Sequence, residues 1–136
     1  MATRSRIAIQ NEDGTVTSIY CHWDGYPEYN GNMLVSHFKN RDKVKKLIAL
    51  GSLSSLAPEI EAPEGHTFSD PVEGYTVAYS RDRGESLDIS HHMDADSYFS
   101  GDIEEYGYLY TLEGDWIVKS EDFVKPEKVT SILEKK

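Results

Sequence analysis

Between residues 20 and 31 the chain reads YCHWDGYPEYNG, and within it His22 and Asp24 have the types and spacing to do chemistry. Two residues apart on a strand end, an imidazole and a carboxylate point to the same side. So placed, they can hold a divalent metal, or act as a base and the group that orients it. Trp23, Tyr26 and Tyr29 offer faces on which a planar ligand can stack, or rings that anchor the loop to the element after it. Gly25, Pro27 and Gly31 keep the stretch out of regular structure, and loops held by a rigid scaffold are where binding and catalysis concentrate. A His-x-Asp pattern also arises by chance, and a structural His22 hydrogen-bonded beneath the rings is the simpler account.

Two further groups stand out. His91, His92, Asp94 and Asp96 form the densest set of potential metal ligands in the chain. Adjacent histidines diverge on a strand or a helix, so a surface polar segment is the plain alternative. Were they to bind, Asp94 and Asp96 with His22 would be the donors for magnesium, manganese or zinc. Arg81 and Arg83, in RDRGE, are the only arginines beyond Arg41. A pair on a turn can clamp a phosphate or carboxylate, or can neutralise Asp82 and Glu85. No phosphate-binding glycine loop, nucleophile elbow, HExxH or paired CxxC is present. Cys21, the single cysteine, is expected in the core, because on a strand it faces away from His22.

The elements that must position these groups follow from periodicity. Residues 4 to 10 alternate, residues 11 to 14 carry turn chemistry, and residues 15 to 22 are β-rich, which predicts a hairpin. Met33, Leu34, His37 and Phe38 predict a short helix ending near Asn40. Asn40 is then the N-cap of a second helix, with Asp42 in its first turn, a stripe of Val44, Leu47 and Ile48, and Gly51 as C′. Arg41, Lys43, Lys45 and Lys46 fall mostly on its outer face, a solvated surface or a phosphate contact. Leu53 and Leu56 suggest one more helical turn. Residues 57 to 74, rich in proline, glycine and acids, form a long surface loop. A strand is expected over 75 to 80 with a turn at 81 to 85, then a short strand and a helix between 86 and 102. Residues 106 to 112 and 116 to 119 make a second hairpin, and Pro126 at N1 with Val129, Ile132 and Leu133 predicts a closing helix. The expected architecture is a single α+β domain over residues 1 to 136, with a mostly antiparallel sheet of two hairpins plus a middle strand and two or three helices.

Composition narrows the function classes. The 136 residues suit one domain, and 38% hydrophobic residues exceed what a disordered acidic chain carries, so the net charge of −10 decorates a folded protein. Residues 51 to 124 hold seventeen acidic and three basic side chains. Such a face repels nucleic acid, so no direct nucleic-acid binding is expected; it keeps the protein soluble, meets a basic partner, or mimics a phosphate backbone. A lone cysteine and no apolar leader suggest a reducing cytoplasm, and no stretch is apolar enough to span a membrane.

SRIAI, SIYCHWDGYPEYNG, KVKKLIALGSLSSL, VAYSRDRGE and EYGYLYTLEGDWIV, in this order, resemble a family of small uncharacterised proteins of tailed bacteriophages and prophages. The resemblance implies a phage accessory protein in the host bacterial cytoplasm and supplies no catalytic residues; residues 57 to 74 and HHMDADSYF lie outside the shared blocks. The function expected is a non-enzymatic binding module modulating a host process, with His22, Trp23, Asp24, Tyr26, Tyr29, Arg81 and Arg83 as its ligand surface and no cofactor or metal. Its partner would be a host protein or a small anionic planar ligand. The alternatives are a metal-assisted hydrolase or nuclease using His22 and Asp24, and an acidic DNA mimic.

Overall fold

The computed structural model describes residues 3–101, 103–120 and 123–134. Eight strands form one sheet: β1 (Ser5–Gln10), β2 (Val16–Cys21), β3 (Leu53–Ser55), β4 (Val77–Ala78), β5 (Ser90–His92), β6 (Tyr106–Tyr110), β7 (Trp116–Lys119) and β8 (Glu127–Lys128). The helices are α1 (Asn32–His37), α2 (Arg41–Ile48), α3 (Tyr79–Arg83), α4 (Ala95–Ser100) and α5 (Val129–Glu134), and a π-helical turn, Pro27–Gly31, leads into α1. The strands lie in the order β4-β3-β2-β1-β6-β7-β8, with β5 paired to β2.

Both expected hairpins are present. Gly14 N–H bonds Asn11 O at 2.9 Å between β1 and β2, and Gly114 N–H bonds Thr111 O at 2.9 Å between β6 and β7. The sheet is nevertheless mixed rather than mostly antiparallel, because β1 runs parallel to β6 and β2 parallel to β3. The second parallel pair arises at Leu53, where LSSL is not the expected helical turn but contains β3, reached from β2 through the π-helical turn, α1 and α2. A crossover of that length returns a strand parallel to the one it left. Among the described residues there are five α-helices rather than two or three.

Alternation along the strands sorts the core into two layers. Ile7, Ile9, Ile19, Cys21, Tyr108, Tyr110, Trp116 and Val118 pack with Leu34 of α1, Phe38 at its C-cap, Val44 and Leu47 of α2, and Val129 and Ile132 of α5. Ala8, Val16 and Leu109 pack on the opposite face with Tyr98 and Phe99 of α4 and with Ile103. By the same alternation Arg6, Ser18 and Tyr20 belong to the α4 face.

Helix α2 forms as its sequence dictates. Asn40 Oδ1 accepts from Asp42 N–H at 2.7 Å, a cap worth about 1 kcal/mol. Gly51, at φ 76°, takes the left-handed position that ends the following turn. The basic face is smaller than expected. Arg41 turns inward to Gln10 O at 2.9 Å and Thr111 O at 2.7 Å, and Lys43 bonds His37 O and Pro58 O, leaving Lys45 and Lys46 exposed.

Three other expectations need correction. The strand predicted over 75 to 80 shortens to β4, and RDRGE is the end of α3 followed by Gly84 at φ 75°, not a simple hairpin turn. The Asp82 carboxylate reaches back to Ala78 N–H at 2.8 Å, satisfying a donor at the helix start, and so favours a helix where alternation suggested a strand. Pro126 does not open the closing helix; it precedes β8, whose pairing with β7 delays the helix to Val129. Strand β5 followed by α4 matches the expectation for the section ending at Asp102, which itself lies outside the described residues.

Candidate functional site

The loop after β2 is fixed from beneath. His22 N–H and Trp23 N–H bond Leu53 O and Ser54 O, each at 3.0 Å, so the strand pairing carries the chain into the loop. Asp24 turns it with φ 58°, a conformation that aspartate tolerates better than most residues. Gly25 then lies against β1: its N–H bonds Thr3 O at 2.8 Å, and a Cβ there would approach both Ser5 Cβ and Thr3 O to 2.8 Å. Only glycine fits this contact without displacing backbone. From the core, Tyr108 Oη donates to Gly25 O at 2.6 Å, and buried Asn30 donates through Nδ2 to Trp23 O at 3.2 Å.

Because these groups hold the loop, its rings are left on the surface. Trp23, Tyr26 and Tyr29 are 44%, 37% and 38% exposed. Asn30, Pro27 and Gly31, all buried, face the core. Trp23 packs edge-on against His22, with centroids 4.8 Å apart.

His22 Nδ1 lies 2.7 Å from Tyr20 Oη, so one ring nitrogen is occupied within the chain. Among the described residues no group of three His, Cys, Asp or Glu side chains is arranged to hold a metal ion. Cys21 is buried, and burial pushes its thiol up to about 12, so it carries no thiolate at neutral pH.

Arg81 is engaged inside the fold rather than presented as a clamp. Its guanidinium bonds both carboxylate oxygens of Asp82, at 2.9 and 3.0 Å, Thr76 O at 2.8 Å, and Ile60 O. Asp82 also accepts from His66 Nε2 at 3.3 Å, while His66 Nδ1 accepts from Val72 N–H at 3.0 Å, which places the imidazole proton on Nε2. Burial works to raise the Asp82 carboxyl, but the Arg81 and Ala78 hydrogen bonds outweigh it and hold the group below the ordinary carboxylate range. This network fastens the long loop to α3 at Ile60, His66, Val72 and Thr76. Nothing in the sequence pointed to His66, because its partners are sixteen residues downstream and on its own loop. Arg83 is more exposed, at 54%, pairs with Glu85 at 2.6 Å, and lies over the Phe68 ring at 4.7 Å. The neutralising role weighed for the two arginines is the one the geometry displays.

The histidine and aspartate cluster disperses. His91 is exposed, while His92 Nε2 lies 2.8 Å from Ser18 Oγ, which also accepts from Arg6 Nε at 3.1 Å. Asp94 caps α4 by accepting from Ser97 N–H at 2.8 Å, and hydrogen bonds from Ser97 hold its carboxyl low. A serine beside a histidine resembles a nucleophile and base, but Ser18 is wholly buried in β2. Burial, then Arg6 and His91, hold the His92 imidazole below the ordinary value of 6.5. With a depressed folded pKa, His92 contributes stability that is present above pH 6.5 and is lost as pH falls through its folded value. An NMR titration of its ring protons is expected to give a midpoint below 6.5.

The aromatic loop and the RDRGE segment meet at one place. Tyr20, at the loop's entrance, lines a cavity of about 770 Å³ together with Ser52, Tyr79, Glu85, Ser86 and Asp88. Neither arginine contributes to its wall. No helix among the described residues is long and apolar enough to cross a membrane. No protein-family model, curated protein or solved structure matches the chain.

Proposed function

We propose that this protein is a non-enzymatic binding module that docks a host protein through the aromatic loop. One observation carries the reading: three large rings stand more than a third exposed on a loop whose backbone is fixed by Thr3, Tyr108 and Asn30. Exposed rings on a rigid base bury a large area with little loss of conformational freedom, which is why tyrosine and tryptophan dominate binding hot spots. Asp24 borders the rings and favours a partner patch that is basic. The resemblance adds the biological setting, a phage accessory protein acting in the host cytoplasm on a host process. Arg81 takes a positioning role here, holding the neighbouring loop, and the anionic planar ligand gives way to a protein partner.

The test is capture from bacterial lysate on immobilised protein, with bound species identified by mass spectrometry. Wild type is expected to retain a defined partner, and Trp23→Ala with Tyr29→Ala to lose it while melting within about 2 °C of wild type, since surface changes alter stability little. Capture that is unaffected by the double variant would overturn the docking surface, and a blank wild type would overturn the binding module.

A further inference from the structure

The cavity between β2, the start of β3 and residues 84 to 88 has a chemistry distinct from that of the exposed rings. Its polar wall consists of the phenols of Tyr20 and Tyr79, the hydroxyls of Ser52 and Ser86, and the carboxylates of Glu85 and Asp88, with no lysine, arginine or histidine among the lining residues. It is an open hollow of about 770 Å³, within the volume range of small-molecule sites, and Glu85 to Asp88 along its outer wall are exposed. The two acids differ. Glu85 is neutralised by Arg83 at 2.6 Å, whereas Asp88 receives only a 3.4 Å hydrogen bond from Ser52 Oγ and has no ion-pair partner among the described residues. An exposed carboxylate without an ion-pair partner, on the wall of a hollow that two phenols also line, attracts positive charge and repels negative. Tyr79 already shows that its ring accepts such a group, since the Arg83 guanidinium lies 5.5 Å from its centroid.

We infer that this cavity binds an organic cation, an ammonium or guanidinium group carried on a small molecule, with Asp88 as the counter-charge and Tyr20 and Tyr79 as aromatic walls. The site goes beyond the docking loop and rests on a different observation. Ser52 and Ser86 supply hydroxyls to the polar part of such a ligand, and Leu87 lies over Gly51, where an added Cβ would come within 2.8 Å of its Cδ1. This close seat holds the 84 to 88 segment against the end of α2.

The test is a titration of ¹⁵N-labelled full chain with tetramethylammonium and with ethylguanidinium, using benzoate and glucose as the anionic and neutral probes. Both cations are expected to give saturable shifts at the amides of Ser52 and residues 85 to 88. Asp88→Asn is expected to weaken them about tenfold, and Asp96→Asn, an exposed acid on α4, to leave them unchanged. Cation shifts spread over the acidic surface and insensitive to Asp88→Asn would overturn the site. Saturation by benzoate or glucose in place of the cations overturns the ligand class but keeps the cavity as a binding site, and silence with all four probes overturns both. None of these outcomes depends on lysate capture through Trp23, so the two readings fail separately.

Discussion

Replacing Asp82 by alanine is expected to destabilise the protein by about 3 to 5 kcal/mol, the cost of removing one partner from a buried charge network. The carboxylate is only 3% exposed and is shared by Arg81, His66 and Ala78 N–H. Its loss leaves a guanidinium, an imidazole N–H and a backbone donor without their acceptor. The same groups fasten residues 60 to 76, so hydrogen exchange across that loop is expected to rise further than in the β1–β2 hairpin. Equilibrium urea unfolding measures the total, and exchange locates it. The pH dependence has a definite sign. A carboxyl held below 3.8 in the fold contributes stability that is complete above the unfolded value and is lost as pH falls through the folded one. Wild type should therefore lose stability on acidification below about pH 4, and Asp82→Asn should flatten that limb while keeping part of the hydrogen bonding. An acid limb unchanged in Asp82→Asn would show that other carboxylates carry it.

Tyr108→Ala is expected to cost a further class of energy, about 3 to 5 kcal/mol, because it empties a fully buried aromatic site between β1, β7 and the loop. Tyr108→Phe separates packing from anchoring. It keeps the ring and removes the 2.6 Å bond to Gly25 O, for an expected loss of about 1 to 3 kcal/mol. The consequence for function is local. With Gly25 O released, residues 24 to 31 are expected to exchange faster, and partner capture through Trp23 and Tyr29 to weaken even where the fold survives. Unaltered exchange in the loop of Tyr108→Phe would place the loop's rigidity in Asn30 and Thr3 instead.

Much of this domain was legible along the chain, because short-range physics decided it. The alternation of residues 5 to 10, the Asn40 cap and the glycine turns at 14 and 114 each depend on neighbours a few residues away. The parallel strands did not show, because a three-residue strand such as β3 has too few positions to display a period and is defined by its partner, Cys21 of β2. The inward placement of Arg81 was hidden for a related reason. Its acceptors, Ile60 O and Thr76 O, are backbone atoms, and backbone acceptors leave no trace in residue types.

The sequence by itself determined that there is an acidic α+β domain with two hairpins, and that residues 20 to 31 form an aromatic, irregular loop. Tertiary structure alone decided what that loop is for in the fold. Tyr108 and Asn30 hold it from below, so its rings face outward, and Tyr20 reaches across to Tyr79, Glu85 and Asp88 to wall a cavity. Local patterns fix which side of a strand a residue occupies, but convergence of residues sixty positions apart is set by strand order, and strand order arises only when the whole core closes.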